Sequence, residues 1–216
     1  MKKVLLSALA ATALCLPVLA EDKVKSWNSL DSVGCMMLRE CTEGVDQISS
    51  WNDLGIEYAL WAEELDAIIS SLKAVNIGIY LADEKYFLRN MRGVYDVTGN
   101  NMYINRFYLE QPTKLVQVIR HEGWHAAQDC MAGTLDNTFT ALIHPEESVP
   151  DWIRSGAERT YPKKAVPWEA EAMWAMYSEN RTKEALEACS GPAKMWQVFE
   201  PTPLTGEWLK KKGFMN

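Results

Sequence analysis

Histidine is nearly absent from this chain: there are three in 216 residues. Any histidine chemistry therefore rests on a few individually placed side chains. Internal repeats and low-complexity runs are missing too, which excludes solenoid and tandem-array architectures. No glycine-rich phosphate loop occurs, so a P-loop or dinucleotide fold has no support. Basic residues are scarce relative to acidic ones. Setting aside Lys2 and Lys3 leaves 22 − 2 = 20 Lys and Arg against 29 Asp and Glu, a net charge of −9. Such a surface argues against nonspecific nucleic-acid binding and against anionic membranes, and slightly favours cationic substrates. Apart from residues 4–16 there is no long apolar run. That run is too short to favour a membrane-spanning helix.

The same N-terminal run reads as part of a secretory signal. Lys2 and Lys3 supply the charged start, and the segment closes on Ala20 before Glu21 and Asp22. We expect residues 1–20 to be a signal peptide cleaved after Ala20. The product would be secreted or periplasmic, with no integral membrane segment. Residues 21–216 then fit a single domain, with a core over about 76–180 and a tail over 191–216. Beyond the signal the chain keeps Cys35, Cys41, Cys130 and Cys189. An even count in an exported protein predicts two disulfides. Of three possible pairings we favour Cys35–Cys41 and Cys130–Cys189.

Two of the three histidines fall in His121-Glu122-Gly123-Trp124-His125, an H-E-x-x-H match. On a helix, positions i and i+4 share a face, so both imidazoles can hold one metal ion. Glu122 lies one residue further round and can address a metal-bound water without being a ligand. The context suits a helix. Pro112 fits the first position, Leu115, Val116, Val118 and Ile119 are buriable, and Gly133 is a plausible stop. Trp124 reads as core, while Gln128 either lines the site or faces solvent.

Around this helix the pattern predicts an α+β fold. A short helix falls within 26–41, with Trp27, Leu30, Val33 and Met37 at helical spacing. A stronger helix covers 57–75, with Leu65, Ile68, Ile69 and Leu72 in its apolar stripe. Strands are expected over 76–82, 93–97 and 102–108, the last two joined by a hairpin at 98–101. Residues 131–167 read as irregular, 169–180 as helix, and 182–189 as a further turn or two. The tail is expected to drape over the surface, with Trp196 and Trp208 as anchors.

A small sheet, an H-E-x-x-H helix and a later acidic helix together resemble the zincin metallopeptidases. The closer branch is the gluzincins, since the pattern after His125 does not continue to a third histidine. The resemblance covers roughly 76–180. It implies a small, mostly antiparallel sheet packed on the H-E-x-x-H helix, with additional helices. It also implies zinc (Zn2+) held by His121, His125 and a downstream glutamate, with Glu122 as general base acting on a peptide or protein substrate. Residues two apart on a helix point to nearly opposite sides, so only one of Glu169 and Glu171 can bind. Glu169 is expected, because its face continues through the buriable Ala172, Met173 and Met176. The supporting acid that zincins often carry four residues later is Met173 here. His144, Tyr161, Tyr177, Arg154 and Arg159 are candidate oxyanion donors, and none stands out. The strand leading into the helix could take an extended substrate by edge pairing. The alternative is a catalytically inactive zincin-like module that binds or supports a partner.

Overall fold

The computed structural model describes residues 29–133, 135 and 140–216. The expected signal peptide, its cleavage after Ala20, and Trp27 lie outside these residues. Among the described residues the fold is α+β. Its strands are β1 (Val45–Gln47), β2 (Gly78–Ala82), β3 (Gly93–Asp96) and β4 (Asn101–Asn105). Its helices are α1 (Ser29–Met37), α2 (Ala62–Ala74), α3 (Pro112–Met131), α4 (Asp151–Thr160), α5 (Val166–Met176), α6 (Arg181–Ser190), α7 (Met195–Val198) and α8 (Pro203–Lys211).

The sheet runs β1-β2-β4-β3 and is mixed. β1–β2 and β3–β4 pair antiparallel, whereas β2–β4 is parallel. The hairpin therefore folds back so that β4 enters the middle and β3 becomes an edge. This corrects one expectation. The strand leading into α3 is interior, with all five of its residues buried, and its edges are already paired. The free edge near α3 belongs to β3.

Strand alternation divides the core. Ile79, Leu81, Met102 and Ile104 face the main core beneath α2 and α3. Ala82 and Tyr103 face a smaller cluster with Met36, Tyr86 and Phe87. Leu65, Ile68, Ile69 and Leu72 of α2 are buried in the main core, as their stripe predicts.

Helix α3 is the centre of the molecule and packs on α5, α6, β3 and β4. Pro112 occupies its first turn, and its apolar positions and Trp124 are buried. Gly123 lets α6 approach: a Cβ there would lie 2.8 Å from Thr182 Cγ2. Thr182 Oγ1 also donates to the Arg120 carbonyl at 2.8 Å. Both favoured disulfides are present, and Cys130–Cys189 ties the end of α3 to the end of α6.

Three local differences have physical causes. β1 is only three residues long, too short to show a period in sequence. Helix α4 lies in the stretch expected to be irregular. Its buried stripe is narrow, Ile153 and Ala157, and Gly156 weakens its helical signal. The tail forms α7 and α8 rather than draping. The Thr202 side chain caps α8 by accepting from Thr205 N–H. Leu209 is buried, and Trp208 Nε1 donates to the Ala132 carbonyl at 3.0 Å. Among the described residues, no helix is long and apolar enough to cross a membrane.

Candidate metal centre

His121 and His125 lie one turn apart on α3. Their Nε2 atoms are 3.2 Å apart, with the rings nearly perpendicular at 85°. Glu169, in the first turn of α5, brings Oε2 to 3.2 Å from His121 Nε2 and 3.5 Å from His125 Nε2. Ligand atoms of the three residues all lie within 4.8 Å of one another. Glu169 Oε2 receives no aligned hydrogen bond although it is buried. Two ring nitrogens and a carboxylate oxygen thus converge on one point.

The spacing fits a transition metal. Zinc about 2.0–2.1 Å from each ligand would set tetrahedral edges of about 3.3–3.4 Å. The observed edges are 3.2, 3.2 and 3.5 Å. Two imidazoles also exclude the all-oxygen sets that calcium and magnesium prefer.

The two glutamates of α5 have separate destinations. Glu169 reaches the histidines. Glu171, 1% exposed, points into the core. There it accepts from Ile143 N–H at 3.0 Å, His144 N–H at 2.5 Å and Gln128 Nε2 at 2.7 Å. Gln128 in turn accepts from His125 Nδ1 at 2.8 Å. This bond fixes a proton on Nδ1 and makes Nε2 the nitrogen that faces the centre. The sequence had left Gln128 open between site and solvent. Glu171 was considered only as a rival ligand, and its role in holding Gln128 carries no local sequence signal.

Glu122 lines the same cleft without joining the three-residue cluster. It sits under β3 and accepts a hydrogen bond from Tyr95 N–H. The strand can pass this closely because residue 93 is glycine: a Cβ there would lie 2.8 Å from Glu122 Cγ. Burial pushes the Glu122 carboxyl above its ordinary value, against the pull of both histidines. A carboxylate held that way is a better base at neutral pH. Burial works against a charged His125, but the Glu169 and Glu122 carboxylates hold it up to about 9. Burial works against a charged Glu169 too, and the two imidazoles facing it more than offset this, so it stays below the usual range.

The candidate oxyanion donors separate clearly. Tyr161 lines the cleft, its ring stacked 6.5 Å from His121, and its hydroxyl reaches Glu169. Burial, then the Glu169 charge, raises that hydroxyl above its ordinary value. Tyr177 lines the cleft further out and is half exposed. His144 faces away, stacked on Trp124 and 3.2 Å from Arg181 Nη1. Burial, then the Arg181 charge, lowers it to about 4. Arg154 and Arg159 are on α4, outside the cleft lining.

The cleft encloses about 630 Å³, within the usual range for small-molecule and peptide sites. Residues 88–94 and, from α5, Met173 and Met176 contribute to its lining. The sequence did not mark residues 88–92 as part of a site. No protein-family model, curated protein or solved structure matches the chain.

Proposed function

We propose that the protein is an exported, zinc-dependent hydrolase of peptide bonds with a zincin-like site. The observation that carries this reading is the convergence of His121, His125 and Glu169, with Glu122 beside them on the same open cleft. A site serving structure alone has no use for a buried base next to its ligands. When bound, zinc would polarise the substrate carbonyl and lower the pKa of a water to about 7. Glu122 is the carboxylate that would hold a proton taken from a water in the cleft and pass it to the departing amine. Tyr161, whose ring stacks on His121, offers a hydroxyl that would donate to the carbonyl oxygen as charge develops there. Gln128 keeps His125 in the ligating tautomer. The free edge of β3 can pair with an extended peptide. The two disulfides support an oxidising compartment.

Two observations favour the inactive alternative. Among the described residues the buried His121 Nδ1 has no hydrogen-bond partner, and Met173 stands where a supporting acid would be expected. The Glu122→Gln variant decides between the two readings. Hydrolysis of a peptide mixture should fall by roughly 10²–10⁴-fold, the scale of a lost general base. Zinc content and melting temperature should stay unchanged. A wild-type protein that binds zinc and cuts no peptide would leave the inactive module.

A further inference from the structure

The whole chain is acidic, yet the cleft is not. Besides the histidines and carboxylates of the centre, its charged lining among the described residues is Arg89 and Arg92. Both side chains are exposed. Among the described residues neither takes part in a salt bridge, although Lys85, Arg106, Arg120, Arg154 and Lys183 all do. Arg92 instead rests its guanidinium 5.6 Å from the Tyr108 ring. A divalent cation and the carboxylates of Glu122 and Glu169 cancel in charge. The two arginines then set the sign of what remains.

Their position along the cleft is defined by the edge strand. Arg92 immediately precedes β3, three residues before Tyr95, whose N–H binds Glu122. At about 3.3 Å per residue that is roughly 10 Å along an extended chain. Met173 and Met176 add apolar lining to the same cleft. We infer that the cleft selects peptides carrying a carboxylate within about three residues of the reacting bond, bound by Arg92 and Arg89. This rests on the hydrolase reading for the identity of the site. Planar guanidinium groups suit carboxylates, which they can grip through two parallel hydrogen bonds. An acidic side chain and a free C-terminus offer the same group.

Binding without turnover tests this. Zinc-loaded Glu122→Gln protein is immobilised and equilibrated with random N-acetylated hexapeptides, half with free C-termini and half amidated. Retained peptides are then sequenced by mass spectrometry. Asp and Glu should be enriched over Asn and Gln by about tenfold, the scale of one charge-assisted hydrogen bond. If the C-terminal carboxylate is the group bound, the enrichment appears as retention of the free-acid half. Adding Arg89→Gln and Arg92→Gln should abolish the enrichment while zinc content and melting temperature hold. Equal retention of acidic and amide peptides overturns the inference. So does retention of nothing, or an acidic preference that survives loss of both arginines. If acidic peptides are selected through the arginines but the wild type cuts none, the inference stands and the hydrolase reading falls. Cleavage without carboxylate preference gives the reverse.

Discussion

Two charged clusters begin one residue apart on α3 and are built in opposite ways. Arg120 is buried and grips Glu64 of α2 through two hydrogen bonds, at 2.9 and 2.6 Å. Glu64 also accepts from Asn180 N–H at 3.0 Å, which pins the start of α6. Donors and acceptors are matched there, and the cluster joins three helices. His121, His125 and Glu169 are more exposed, on the wall of the open cleft, and among the described residues they are not matched. Two imidazole nitrogens face each other, and the carboxylate oxygen between them has no aligned donor. Burying a charged group without satisfied partners is costly. A chain that closes one cluster fully and leaves the next open at a single point marks the open one as the place for a cation.

The largest expected effect sharpens this contrast. His121→Ala should take tightly bound zinc from one per chain to none, read by metal analysis of protein purified without a histidine tag. Tight stoichiometric zinc in that variant would mean the open cluster is not the site.

Breaking the matched cluster comes next. Glu64→Ala strands Arg120 in the core and should cost about 3–5 kcal/mol, the scale for removing one partner of a buried pair. Denaturant unfolding measures this. A loss below 1 kcal/mol would show that water reaches Arg120 and that the cluster is not closed.

A third effect lies between the two clusters. Gln128→Ala removes the acceptor for His125 Nδ1, and zinc should bind about 10–100-fold more weakly, as for other groups that orient a metal ligand. Glu171→Gln places an amide where a carboxylate accepts three N–H groups. It should cost about 1–3 kcal/mol of stability and weaken zinc as well. Competition against a zinc chelator measures both affinities.

A last effect is a pH slope. Held at about 9, His125 lies above its unfolded value of about 6.5. Its contribution to stability is therefore complete below pH 6.5 and lost as pH rises through 9. Chelated protein should melt progressively lower across that window. Zinc-loaded protein should not, because a ligating imidazole is neutral throughout. Parallel slopes with and without zinc would remove His125 from the centre.

Some of this was legible without coordinates. The hydrophobic period of α2 and the proline start of α3 are local signals, and their elements stand where the pattern puts them. The cysteine pairing came out as favoured. β1, α4 and the two tail helices were missed because each is short or weakly patterned and is held by distant neighbours. Trp208 bonds the Ala132 carbonyl, and Thr205 Oγ1 bonds the Leu142 carbonyl at 2.9 Å. The sheet order was also out of reach. A hairpin shows which strands pair, but not which of them ends at the edge.

By itself the sequence determined that His121, Glu122 and His125 share one helix, because a period of 3.6 residues is a property of the backbone. It determined equally that Glu169 and Glu171 leave their helix in different directions. Which of the two meets the histidines was decided by how α5 packs on α3. The tertiary structure likewise made β3 the free edge, placed Gln128 between His125 and Glu171, and set two arginines, in no salt bridge among the described residues, at the cleft of an acidic chain. Each of these depends on the packing of elements far apart in sequence, and nothing in the local pattern of either partner records it.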